Sequence, residues 1–353
     1  MPPNEKGGPW TESILYSFDP NYVGDGYGPT GGLAVDGAGN LYGTTVSGQG
    51  SDEPGIVFEL LRPAQPGEPW TENILSVAAG KGYNFNGSLV FDGAGNLYGT
   101  TNEGGTYNSG TIFELSPPPQ PGGQWTLSTL YNFGKDRLDG SYPEGGLILD
   151  SEGNLYGTTN LGGTETGAGF GTVFQLLRPS ASGGTWKEEV AYRFTGGDDG
   201  GFPTGSLLFS KGALYGTTQG GGAFTGGTVY QIALKSGKIA ETVLYNFVRD
   251  STNGSDPRAA LVADPAGNLY STTDIGGTAN AGTVFKLAPP SLPGGTWTHS
   301  VLYSFTGGAD GAFPAAPVLL RNGLLYGLTS QGGDGNCFAD LDFGCGTVFS
   351  VAP

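Results

Sequence analysis

One unit of about 57 residues recurs six times along this chain, and no other feature constrains its fold so strongly. The clearest piece reads Asn-Leu-Tyr-Gly-Thr-Thr, then a glycine-rich loop, then Gly-Thr-Val-Phe. It stands at Asn40–Thr45, Asn96–Thr101, Asn154–Thr159 and, closely, Asn268–Thr273, with weaker copies at Ala213–Thr218 and Leu324–Thr329. A period of this length means one supersecondary unit stacked or ringed. All six units are alike and no linker interrupts them. Residues 1–353 are therefore expected to form a single domain, although the length alone would allow two or three.

Each unit holds four strand candidates. A short apolar one comes first (Leu33–Asp36, Leu89–Asp92, Leu147–Asp150, Leu207–Ser210, Leu261–Asp264, Val318–Arg321), then a turn that reads Asp-Gly-Ala-Gly-Asn in its clearest copies. That is hairpin chemistry, with glycine free to take positive φ. The Leu-Tyr-Gly-Thr-Thr segment is the second strand, and a Val-Phe-Glu-Leu-like segment such as Val57–Leu60 or Val173–Leu176 is the third. The fourth alternates strictly: Trp125, Leu127, Thr129, Tyr131 and Phe133 share a face, as do Trp10, Glu12, Ile14, Tyr16 and Phe18. Period-two alternation with an aromatic face describes a half-buried antiparallel strand. The chain opens on a fourth strand and closes on a third. Only a ring lets those ends share a blade, and closure removes exposed strand edges. The expected fold is all-β: a six-bladed β-propeller of four-stranded antiparallel blades, sealed by the N-terminal strand completing the last blade.

Composition narrows the function. A formal charge of −17, with only 15 Lys plus Arg, excludes a nucleic-acid partner, because phosphate binding needs a basic surface. No stretch approaches the ~18 apolar residues of a membrane helix. Charged residues make up 13% of the chain, so Thr, Ser, Asn, Gln and Gly must cover most of the surface. Such surfaces suit secreted or cell-surface proteins. Cys337 and Cys345 sit in one loop of the last unit, with seven residues between them, and the single histidine, His299, lies in another segment. A disulfide suits that spacing better than metal ligation and implies an oxidising, extracytoplasmic location. A monomer is expected.

The Gly-Asn-Leu-Tyr-Gly-Thr-Thr…Gly-Gly…Gly-Thr-Val-Phe unit resembles the tandem repeats of the "choice-of-anchor tandem repeat GloVer-containing" bacterial proteins, from about residue 10 to 352. The Asp-x-x-Gly-Asn-Leu-Tyr piece is also similar to broader bacterial β-propeller repeats. The resemblance implies a secreted or surface-anchored propeller. It implies no catalytic motif.

The repeat supplies its own alignment, and departures from it mark candidate sites. In propellers the fourth-to-first and second-to-third loops share the face on which ligands bind, an analogy from the fold. The first set carries Asp25, Lys81, Asp139, Asp199, Asn253 and Asp310, each before glycine. These are either a ring of carboxylates offered to Ca²⁺ or simply good turns. After the proline-like position come Thr30, Asn86, Glu144, Thr204, Arg258 and Ala315, of which Glu144 and Arg258 are charged. Glu103 and Asp274 are the outliers of the other loops, and Glu103 is expected beside Glu144. Paired carboxylates perform acid–base work in glycoside hydrolysis, which makes Glu144, Glu103 and Arg258 the catalytic candidates. Aromatics on the same loops (Tyr27, Tyr83, Tyr107, Tyr142, Phe202, Phe224, Phe313, Phe338) suit the C–H faces of sugar rings, with Lys81 and Asp274 as polar contacts; they could equally cap the gaps between blades. Asp334, Asp340 and Asp342 make the long last loop a calcium candidate, without the spacing of an EF-hand.

Three functions follow as expectations. The first is a secreted recognition propeller that binds a glycan or cell-wall polysaccharide on the loop face. The second is a carbohydrate-active enzyme, a glycoside hydrolase or lyase, that uses the rim carboxylates. The third is a structural repeat module without a small ligand.

Overall fold

The structure, a computed structural model, describes residues 13–19, 25–48, 54–77, 83–120, 122–181, 183–235, 238–250, 252–292, 294–333 and 345–353. Six small antiparallel sheets stand in a ring and form a six-bladed β-propeller. Blade one comprises Ala34–Val35, Leu41–Ser47, Ile56–Leu61 and Thr71–Val77. Blade three comprises Ile148–Leu149, Leu155–Thr159, Thr172–Leu177 and Lys187–Arg193, each pairing with the next in sequence. Blades two, four and five repeat that order. Blade six contributes Leu319–Arg321, Leu324–Thr329 and Thr347–Val351.

Residues 13–19 are assigned to no strand, and blade six is three-stranded among the described residues, but the segment lies against blade one where a neighbouring blade's fourth strand would pass. Tyr16 and Phe18 meet edge to face at 5.1 Å, and Phe18 meets Phe58 of blade one at 5.1 Å. Tyr131, Phe133 and Phe174 repeat this arrangement between blades two and three, at 5.1 and 5.0 Å.

Every letter of the repeat motif has a structural duty. Asp36 accepts from the backbone N–H groups of Ala38 and Asn40 at 2.9 Å each, from the Asn40 amide at 2.8 Å and from the Tyr42 hydroxyl at 3.2 Å. The Asn40 side-chain oxygen then accepts the Arg62 N–H of the third strand's exit at 3.0 Å. Asp92, Asp150 and Asp264 receive their own asparagine and tyrosine in the same way. The motif glycine is packed tight: a Cβ on Gly157 would lie 2.6 Å from the Phe174 ring and 3.0 Å from Leu147. Of the two threonines, Thr158 donates to the Gly205 carbonyl of the next blade at 3.2 Å. Thr159 donates to the Leu161 carbonyl at 3.0 Å and meets the Thr172 hydroxyl at 2.8 Å.

The core lies between blades. Val173, Tyr156, Phe194, Leu207, Leu214 and Tyr230 form one such cluster, drawn from blades three and four. Five junctions are sealed alike, with Val57, Ile112, Val173, Val229 and Val284 each at 0% exposure. The sixth is looser. Val348, in the same register, is 79% exposed, and Leu33, which matches the buried Leu89, Leu147, Leu207 and Leu261, is 53% exposed.

Candidate ligand-binding face

The segments that enter the first strands run around the channel and are tied from blade to blade. Thr30 donates to the Asn86 side-chain oxygen at 3.1 Å, the Gly32 N–H to Ser88 at 2.9 Å, the Gly146 N–H to Ser206 at 2.7 Å, and Thr204 to the Arg258 carbonyl at 3.2 Å. Thr30, Asn86, Glu144, Thr204, Arg258 and Ala315 thus succeed one another along equivalent segments.

Each charged member of that series is engaged within its own blade. Asn160 donates its amide to Glu144 at 2.8 Å, and the Arg258 Nε lies 3.5 Å from Asp274. Glu103 stands one residue beyond the position of Asn160 and Asp274, because the backbone pairs Tyr83 with Glu103 and Ser255 with Ile275. Among the described residues no hydrogen bond or ion pair joins Glu103 to Glu144.

A second series has unusual backbone geometry. Gly28, Asn84, Tyr142, Phe202, Asp256 and Phe313 all have φ between 55° and 67°. Bulky residues rarely adopt this left-handed region, and the strain persists only where the surroundings impose it. Here they do. The N–H groups of Tyr142, Phe202, Asp256 and Phe313 donate at 2.8–2.9 Å to Ser109, Phe170, Gly226 and Ala281 in the preceding blade's loop. Their carbonyls accept from Asn160, Gln219, Asp274 and Ser330 of their own blade. Tyr27 and Tyr83 stand one residue before this position. The three rings therefore sit on a backbone clamped from both sides; Phe202 also meets Phe170 edge to face at 5.5 Å.

Tyr27, Tyr107 and Phe224 are 51–56% exposed on the same loop face. A cleft of about 340 Å³ between blades two and three is lined by Ser109, Arg137, Tyr142 and Leu161. Lys81, Phe338, Asp334, Asp340, Asp342 and Cys337 lie outside the described residues, as does the Cys337–Cys345 pairing, and of Tyr83 only the backbone is described. Among the described residues no group of three or more His, Cys, Asp or Glu is placed to hold a metal ion. No helix of the described chain is long and apolar enough to cross a membrane.

The Asp-Gly positions do more than turn the chain. Asp139 is buried, accepts the Gly134 and Lys135 N–H groups at 2.9 and 3.1 Å, and accepts the Tyr131 hydroxyl at 3.0 Å. That hydroxyl also reaches Glu188 of the next blade at 3.4 Å. Tyr16 joins Asp25 and Glu72 in the same way at 3.3 and 3.1 Å, and Tyr192 donates to Asp199 near Glu241. Burial pushes Glu188 above its ordinary range, and burial reinforced by the neighbouring aspartates takes Glu72 and Glu241 up to about 7. Blade five varies the theme: the His299 ring stacks on Tyr245 at 4.4 Å, and burial lowers its pKa to about 4. Sequence reading missed these clusters, whose signal is a glutamate four residues before the strand tyrosine at Glu188 and Glu241. The following glycine packs against the threonine pair, where a Cβ on Gly140 would lie 2.5 Å from the Thr159 hydroxyl.

Six antiparallel blades with clamped loops on one face define a β-propeller. The chain belongs to the Gloeobacter/Verrucomicrobia repeat family, whose sequence profile matches residues 5–185 and 121–349. No curated protein matches it. Among solved structures it is similar to a putative 6-phosphogluconolactonase from Bacteroides uniformis, with 14% identity, TM-score 0.54 and coverage of 94% of this chain and 90% of that one. It is also similar to a putative oxidoreductase (glucose dehydrogenase) from Thermus thermophilus, with 17% identity, TM-score 0.51 and coverage of 93% and 98%. A Penicillium chrysogenum α-L-arabinanase complexed with arabinobiose matches with 15% identity, TM-score 0.50 and 96% of each chain covered. At these identities the likeness is one of fold.

Proposed function

We propose that this protein is an extracytoplasmic recognition propeller that binds a glycan on its loop face. The observation that carries the reading is that Tyr27, Tyr107 and Phe224 are exposed rings on loops of the same face as the polar pairs Glu144–Asn160 and Arg258–Asp274. Aromatic faces take the C–H side of a sugar while polar pairs take its hydroxyls. The similar structures, which include an arabinanase complexed with arabinobiose, accord with a carbohydrate ligand. A disulfide between Cys337 and Cys345 and the low Lys and Arg content suit a secreted or surface location. Any calcium would be held by the loop carrying Asp334, Asp340 and Asp342. Glu144, engaged by Asn160, serves here as a hydrogen-bonding group toward sugar hydroxyls.

A glycan array followed by titration calorimetry tests this. Binding that falls in Tyr107→Ala and Phe224→Ala, with melting temperature unchanged, is the expected result. An array without hits refutes it. Release of reducing ends from a bound polysaccharide, lost in Glu144→Gln, would replace recognition by catalysis.

A further inference from the structure

Blade five departs from the others in a single direction. Its left-handed rim position holds Asp256, where other blades have glycine, asparagine or an aromatic ring. The Asp256 carboxylate is largely buried and accepts from a terminal guanidinium nitrogen of Arg249 at 3.1 and 3.5 Å. Asp274, bonded through its own N–H to the Asp256 carbonyl at 3.1 Å, is also largely buried and faces the Arg258 Nε. The two acids therefore point inward and both guanidinium groups remain half exposed.

This division matters because arginine has more donors than these pairs use. Arg258 is held through Nε, so among the described residues its terminal NH1–NH2 fork has no partner. That fork matches a planar carboxylate with two parallel hydrogen bonds. Elsewhere the inner series is neutral or acidic (Thr30, Asn86, Glu144, Thr204, Ala315), in a chain of net charge −17. Arg249, which follows blade four's outer strand, and Arg258 are each oriented by a largely buried acid where blade five is entered, so the cationic side of both pairs is the half-exposed one.

Resting on the glycan reading above, we infer that the ligand is acidic: a polysaccharide whose sugar carboxylates are read at blade five by Arg258, with Arg249 beside it. Neutral hydroxyls are met on the remaining blades. Asp274 is a positioning residue that sets the arginine's direction.

The test is calorimetry with oligogalacturonate and with a neutral galactan oligomer of equal length, on wild type, Arg258→Ala and Asp274→Asn. The inference expects the acidic oligomer to bind more tightly, with that preference reduced roughly tenfold to a hundredfold in Arg258→Ala. Affinity for the neutral oligomer should fall far less than affinity for the acidic one in that variant, and its circular dichroism should remain that of the folded protein, with a modest drop in melting temperature because Asp274 loses its counter-charge. Asp274→Asn should lose part of the preference and steepen its dependence on salt. Equal affinity for the two oligomers, or an unchanged preference in Arg258→Ala, overturns the acidic-ligand inference and leaves glycan recognition standing. Failure of every glycan to bind removes both.

Discussion

Asp139 and Glu188 accept from a single hydroxyl, that of Tyr131, although one lies in the loop entering blade three and the other on that blade's outer strand. Two buried carboxylates around one donor prefer to hold a proton between them. Lys135, 3.6 Å from Glu188, relieves this cluster. No such cation is found at Asp25–Glu72 or Asp199–Glu241 among the described residues.

The clusters make stability depend on pH. Glu72 and Glu241 are raised from 4.5 to about 7 on folding, so the folded chain binds more protons between those values. Their contribution is complete below pH 4.5 and is lost as pH rises through 7. His299, lowered to about 4, acts oppositely and loses its contribution as pH falls from 6.5 through 4. The carboxylates outnumber it, so calorimetry should find the melting temperature higher at about pH 5 than at about pH 7.5. Glu72→Gln plus Glu241→Gln should flatten the slope. A melting temperature that climbs across this window would contradict the assignment.

Gly157→Ala should destabilise by about 1–3 kcal/mol, since the new methyl group would overlap the Phe174 ring. Gly37→Ala, with open space around it, should be nearly silent in the same denaturant titration.

The sixth junction predicts an asymmetry between two valines. Val229→Ala, fully buried, should cost about 2 kcal/mol, whereas Val348→Ala should stay within about 0.5 kcal/mol. Equal costs would mean that the last junction is sealed like the rest.

The proposed disulfide predicts no free thiol in the native protein and two after reduction. Reduction should cost about 2–3 kcal/mol of stability, for a short closed loop. Two reactive thiols before reduction would remove the argument for an oxidising location.

How much of this was legible in the sequence follows from the distances involved. Interactions within one unit, such as the Asp36–Asn40–Tyr42 turn, leave a local spelling, and the blade order could be read from it. The Tyr131–Asp139–Glu188 cluster joins residues 8 and 57 apart, so each letter looks like an unrelated detail. The alignment still holds a trace of it: Ser76, Lys81 and Leu127 occupy the three places between blades one and two, where all three letters change together. The left-handed rim position was hidden for another reason. Its occupants share a backbone angle and no chemistry, and Tyr27 and Tyr83 fall one place out of step with Tyr142.

A circle of six equal junctions would have no particular place to begin coming apart; this one does. Five intact contacts hold blades six and one near each other, so their meeting is intramolecular and favoured over any outside partner. When heat or crowding weakens that advantage, the Val348 face of one molecule can accept the Leu33 face of another, since repetition has made every such pair of faces complementary. Chains of opened rings, joined head to tail at one identifiable surface, are the natural failure of this architecture.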